Sequence, residues 1–253
     1  MQTTATSRPK FGIQLYTVRD LMDDTHFADT MTRVAELGFE GVEFAWKYGG
    51  LEPKELAAFI ADLGLECCGV YVKLEELLDP DHKVYEYALA LGSPYVTTGL
   101  ASQLDQWDAL IPQVEQAGRV ARDKGLTFTY HNHYQEFERQ VDGKYALDVL
   151  WERTDPNLVR MQLDIGWAHK AGAPALDYWR QYGERTPTIH LRDYNVETGR
   201  ICDIGDGFID PAAVVAQARE LGTDWMIYEQ DDYPVSPLDS CRTCVERVRP
   251  VLA

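Results

Sequence analysis

The sequence predicts a single-domain (β/α)8 barrel of the TIM type, and three observations predict it. First, one junction recurs: a helical pattern ends in a residue plus glycine, and a β-rich run follows. The pairs are Leu37-Gly38, Leu63-Gly64, Leu91-Gly92, Lys124-Gly125 and Leu221-Gly222. Glycine just past a helix is the left-handed C-cap. Second, the early junctions lie about 30 residues apart, the length of a strand-helix unit in a parallel sheet. Third, 253 residues without a linker or composition break are enough for eight such units in one domain. The rival is an open doubly wound sheet. It would carry a glycine-rich fingerprint after the first strand, where Gln14-Leu15-Tyr16-Thr17 stands instead.

Taken in order, residues 1–10 are expected to form a disordered polar tail and residues 11–253 the barrel. Phe11–Val18 is the first strand. Phe27, Met31, Val34 and Leu37 then mark a helix by their 3–4 period. Gly41–Phe44 is the second strand, and Leu56, Phe59, Ile60 and Leu63 line the next helix. The third to fifth strands are Leu65–Val72, Tyr95–Thr98 and Thr127–His131. Val159–Ile165 is the sixth, Thr188–Arg192 the seventh after the turn signal Thr186-Pro187, and Trp225–Glu229 the eighth. Pro53, Pro80 and Pro211 are placed in first helical turns, with Asp210 as an N-cap. The last helix runs from about Leu238 to Val251.

Bulk properties exclude several classes. A net charge of −17 and a pI near 4.7 repel nucleic acid and anionic membranes. No apolar run reaches the ~20 residues of a membrane span. The five cysteines, an odd and scattered set, are no secreted disulfide framework. Cys241-x-x-Cys244 has metal-like spacing but no second pair, and in a helical tail it reads as structural. Met1 to Lys10 lacks the apolar stretch of a signal peptide, so a cytoplasmic protein is expected.

Barrel chemistry sits at the C-terminal ends of strands. Those ends hold Gln14 and Tyr16, Glu43, Tyr71, His131-Asn132-His133, Gln162 with Asp164, His190 with Arg192 and Asp193, and Glu229 with Asp231. Each has an ordinary explanation alone. Glu43 and Arg192 suit a buried ion pair, and Asp164 suits a turn. Jointly, however, His, Asp, His and Glu recur at four successive strand ends that a barrel brings to one axis. Charged groups in apolar strands are costly unless paired or metal-bound. Imidazole and carboxylate together suit one divalent ion, Mn²⁺, Fe²⁺, Co²⁺, Zn²⁺ or Mg²⁺, and the donor set does not choose among them; Mn²⁺ is the ion expected.

With these residues in view, the chain resembles the xylose-isomerase-like TIM-barrel superfamily of sugar isomerases and epimerases, which also holds inosose dehydratase and endonuclease IV. The matching stretches are Phe11–Asp20, Gly41–Phe44, Tyr130–His133, Gln162–Trp167, His190–Asp193, the Gly205-Asp206-Gly207 loop and Tyr228-Glu229. The resemblance implies a metal held by Asp164, His190, Glu229 and a fourth strand-end residue. That fourth position, usually glutamate, is His131 here, with His133 as the competing ligand. It further implies proton abstraction α to a sugar carbonyl through an enediolate. Glu229 is then one acid/base, and His133, Glu43 or a water the other, unless the site has no symmetric partner.

Because a ligated imidazole has no lone pair left, His131 weakens the symmetric two-base epimerase scheme. One-base isomerisation or β-elimination on a keto-sugar, inosose or 3-keto-glycoside stays open beside it. Arg192, Tyr16, Trp46, Trp167 and Gln14 are the candidate substrate contacts. The Asp in the Gly205–Gly207 loop argues against a phosphate there. Relatives often pair barrels, so a homo-oligomer stays open. A nuclease needs a basic groove and three zinc ions, which six histidines and the acidic charge oppose. A non-catalytic sugar-binding chain is the remaining class, and the retained Glu229 speaks against it.

Overall fold

Eight parallel strands close into a barrel in chain order in the computed structural model, which describes residues 8–253. They are β1 (Lys10–Gln14), β2 (Gly41–Ala45), β3 (Glu66–Tyr71), β4 (Tyr95–Thr98), β5 (Thr127–His131), β6 (Arg160–Asp164), β7 (Thr188–Leu191) and β8 (Trp225–Tyr228). Each pairs with its successor, and β8 closes on β1. All five junction glycines have positive φ, from 64° at Gly92 to 102° at Gly38, as the repeated junction requires.

The helices pack their apolar stripes on the outside of the barrel. In Phe27–Leu37 the buried residues are Phe27, Thr30, Met31 and Val34, one face of the helix. Pro53 and Pro211 open their helices as expected, and the side chain of Asp210 accepts from Ala212 N. Inside the barrel a separate small cluster forms from Cys68, Tyr95, Trp225 and Ile227. A Cβ on Gly41 would come within 2.7 Å of the Trp225 ring. Their strands are separated by β1, so this contact crosses the interior. Buried polar residues stand above that floor: Gln14, Glu43, Thr97, Thr129, His131, Gln162 and His190.

Some expectations need correction. The first strand stops at Gln14 rather than Val18, because the Gln14 side chain accepts from Tyr16 N at 3.1 Å and Leu15–Leu21 turns into a 3-10 helix. Pro80 lies in a turn before the helix Lys83–Ala90, whose N-cap is His82. Lys10 already belongs to β1 and Arg8 pairs with Glu40, so the boundary drawn at residue 10 falls inside the first strand. Residues 1–7 of the expected tail lie outside the described residues. Cys241 and Cys244 are buried free thiols on the helix Pro237–Leu252. Among the described residues no helix is long and apolar enough to cross a membrane.

Candidate active site

Strand register brings the polar ends together. His131 pairs across from Gln162, Asp164 from His190, and Gln14 from Glu43. Asn132, passed over as a functional residue in the sequence, clamps β5 to β6. Its Oδ1 accepts from Asp164 N at 3.0 Å and its Nδ2 donates to Asp164 O at 3.3 Å. As a result one donor atom each from His131, Asp164, His190 and Glu229 lies within 4.8 Å of the others, and all four residues are buried.

Above this cluster opens a cavity of about 280 Å³. Its walls include His131, His133, Glu229 and all five residues expected to touch substrate: Gln14, Tyr16, Trp46, Trp167 and Arg192. Ala45 and two residues noted in the sequence only as strand-end groups, Tyr71 and Asp231, complete the wall. Trp46 and Tyr16 meet edge to face at 6.1 Å, and Trp46 meets Tyr71 at 5.4 Å. Trp46 has φ 58°, a left-handed backbone that a bulky residue rarely adopts.

Arg192 is the electrostatic centre. Its Nε donates to Asp164 Oδ2 at 3.0 Å, Nη2 approaches Glu229 Oε2 at 2.9 Å, and Nη1 donates to Asp231 Oδ2 at 2.5 Å. Its guanidinium lies 4.4 Å from the Trp167 ring centre. The ion pair with Glu43 that the sequence left open is therefore not the one formed. Glu43 instead bonds Gln14, Gln162 and His190 and lies outside the cavity lining. This removes Glu43 as a base that could touch substrate.

The titration of the cluster follows from burial and these partners. Burial works against charge on His190, but Glu43 and Glu229 outweigh it and push its pKa up to about 10. Burial raises Glu229, yet Arg192 and His190 hold it well below the usual carboxylate range. Burial pushes Asp164 up to about 6 against the pull of Arg192 and His190. His131 and His133 are driven down chiefly by burial, helped among charges by His190 at His131 and by Arg192 at His133; His133 falls to about 4. Both are neutral imidazoles at pH 7. His133 Nδ1 is buried without a hydrogen-bond partner among the described residues.

The donor set fits a divalent cation. His131 Nδ1 is 3.0 Å from Gln162 Oε1, and His190 Nε2 is 2.8 Å from Glu43 Oε2. Each ring thus has one nitrogen fixed by an acceptor and one left for the cluster, the arrangement usual around metal-bound histidine. The same position holds a proton shared between His190 Nδ1 and Glu229 Oε2 at 2.8 Å.

The Gly205–Gly207 loop does not join the site as an anion cradle. Its amides are already used: Asp193 Oδ2 accepts from Gly205 N and Gly207 N, and Oδ1 from Phe208 N and Ile209 N.

A family model described as xylose isomerase-like TIM barrel matches residues 31–246. This chain belongs to that family. Among relatives of this xylose isomerase-like barrel, an inosose dehydratase of Geobacillus kaustophilus is 24% identical over 249 residues, covering 81% of this chain and 80% of that protein. A sugar phosphate isomerase/epimerase from Parabacteroides distasonis superposes with TM-score 0.77 at 18% identity, over 99% of this chain and 98% of that one. A xylose isomerase-like TIM barrel protein of Mycobacterium smegmatis, solved in complex with magnesium, has TM-score 0.70 at 17% identity over 99% and 98%. At these identities the structural likeness speaks for the fold. The relatives are enzymes of two reaction types, dehydration and isomerisation or epimerisation.

Proposed function

We propose that the protein is a divalent-metal-dependent enzyme that removes the proton α to the carbonyl of a sugar or keto-sugar, in the manner of a sugar isomerase or epimerase. The observation that carries this reading is the buried His131–Asp164–His190–Glu229 cluster at the base of a cavity whose wall holds a neutral, unpartnered imidazole, His133. When bound, a divalent cation supplies Lewis-acid polarisation of the carbonyl. His131, Asp164, His190 and Glu229 hold it. Mn²⁺ is our first choice, and the Mycobacterium smegmatis structure supports testing Mg²⁺ beside it.

The acid/base roles divide between His133 and Glu229. Arg192 and His190 keep Glu229 ionised and weaken it as a proton acceptor. Neutral His133, whose ring lines the cavity, takes the α-proton. Returning that proton to the former carbonyl carbon, while the hydroxyl proton passes to the former carbonyl oxygen, completes an isomerisation. Arg192 orients substrate oxygens, and Trp46, Tyr16 and Trp167 offer ring faces to its C–H groups. Gln14 hydrogen-bonds at the cavity floor.

A second reading is β-elimination on a keto-sugar, an inosose or a 3-keto-glycoside. It is favoured by His131, which as a ligand leaves a single base where a symmetric epimerase needs two, and by the inosose dehydratase relative. Here His133 takes the α-proton, the C–H electrons form the double bond, and the β-hydroxyl departs with that proton as water.

The test is incubation of the Mn²⁺-loaded protein in D₂O with aldoses, ketoses, inososes and 3-keto-glycosides. Deuterium at the α carbon supports proton abstraction, and loss of water or an aglycone assigns the lyase. The absence of exchange across all four classes overturns the reading.

A further inference from the structure

We propose that Glu43 is a positioning residue that sets the tautomers of both imidazoles in the cluster, His190 directly and His131 through Gln162. The inference rests on the metal reading above. Glu43 is 0% exposed and absent from the cavity wall, so it acts through its neighbours. Its Oε2 lies 2.8 Å from His190 Nε2 and 2.6 Å from Gln14 Nε2, and its Oε1 lies 2.7 Å from Gln162 Nε2. Both carboxylate oxygens face donors, since the amide nitrogens of Gln14 and Gln162 can only donate. His190 Nε2 therefore carries a proton, and Nδ1, which faces Glu229, is the nitrogen left for an ion once the proton shared there departs.

Gln162 must turn its amide N–H toward Glu43, so its carbonyl oxygen faces His131 Nδ1 at 3.0 Å. That nitrogen must donate, and the His131 lone pair is left at Nε2. One carboxylate thus orders two rings on strands β5 and β7 from a seat on β2.

The backbone is shaped to admit this carboxylate. Pairing of β2 with β3 is irregular after Val42: Val42 stands opposite Cys67 but Glu43 opposite Gly69. A Cβ on Gly69 would lie 2.5 Å from Glu43 Oε1. The residue beside Glu43 is thus the only type without a Cβ.

The test uses Glu43→Gln and the double exchange Glu43→Gln with Gln162→Glu. In the single variant three donors face a group with one acceptor oxygen, so Gln162 or His190 must turn, and one imidazole loses its inward lone pair. In the double variant the carboxylate and the amide trade places. The carboxylate, now on β6, accepts from the amide N–H on β2 and from His131 Nδ1, while the amide keeps its oxygen toward His190. Titration calorimetry with Mn²⁺ should show affinity falling at least about tenfold in the single variant and returning to within about threefold of native in the double. Nitrogen-15 spectra of the histidines in metal-free protein should show His131 protonated at Nδ1 in the native chain. In Glu43→Gln, His131 should change tautomer, its proton moving from Nδ1 to Nε2.

Native-like affinity in Glu43→Gln, or no recovery in the double variant, overturns the proposal. If the single variant does not fold, the double variant decides alone. If the native protein binds no Mn²⁺ or Mg²⁺, the metal reading fails. The ¹⁵N spectra then decide this one: unchanged tautomers in Glu43→Gln overturn it.

Discussion

Glu136 Oε2 accepts the backbone N–H of His133 at 3.0 Å, while its Oε1 takes the Tyr130 hydroxyl at 2.7 Å. A buried carboxylate thus pins the turn that carries the proposed base. Burial pushes Glu136 up to about 7, against the hydrogen bonds from Tyr130 and His133. The folded chain then binds this proton more tightly than the unfolded chain, whose carboxyl titrates near 4.5. Its contribution to stability is therefore full below about pH 4.5 and is lost as pH rises toward 7. The loss is on the order of 2–3 kcal/mol. Urea midpoints of metal-free protein at several pH values should fall less steeply over this window in Glu136→Gln than in the native chain. Equal slopes would show that another group governs the window.

His131 and His133 should separate by function. His131→Ala removes a proposed ligand and should cut Mn²⁺ affinity by at least about tenfold. His133→Ala should bind the ion as tightly as the native chain, yet lose α-proton exchange by about 10²–10⁴-fold. Calorimetry and deuterium incorporation together check both. The reverse pattern would exchange the two assignments.

Glu229→Gln should abolish exchange, because it removes a ligand and the negative partner of Arg192 and His190 at once. A variant that still exchanges at the native rate would remove Glu229 from the mechanism.

Asp193→Ala should loosen the loop after β7. Besides its own neighbour Tyr194, the carboxylate accepts backbone N–H groups from Gly205, Gly207, Phe208 and Ile209. Unpaired buried amides cost about 1–3 kcal/mol each when water cannot reach them. A fall of roughly 2–4 kcal/mol in unfolding free energy is expected, since part of the loop reaches solvent. Hydrogen exchange should lose protection at residues 205–209, and unchanged protection would refute the anchor.

Much of this fold is written locally. Five glycines just past helices mark the repeat, since each needs a left-handed φ that the sequence announces by residue type. The cluster was legible for a similar reason: Asp164, His190 and Glu229 sit at or just past strand ends, and a barrel leaves those ends one place to converge. What escaped depends on partners distant in the chain. Glu43 meets Gln162, 119 positions away, and His190, 147 away, so no local pattern separates a base from a buried anchor. Gln14 ends its strand through a side-chain bond to Tyr16 N, which an apolar run continuing to Val18 conceals. The hairpin of Gln140–Val141 and Lys144–Tyr145 was missed despite its Asp142-Gly143 turn, because two-residue strands have no readable period.

Trp46 combines two features that pull in opposite directions: a left-handed backbone and, at 46% exposure of the residue, a place at the cavity mouth. Glycine at this position would adopt the same φ without steric cost, so Trp46→Gly should be neutral to stabilising in thermal unfolding while weakening substrate binding. Selection for thermostability alone would therefore erode the entrance to this site. A library screened first for heat resistance should accumulate glycine or asparagine in place of Trp46 and lose its catalysts in the process.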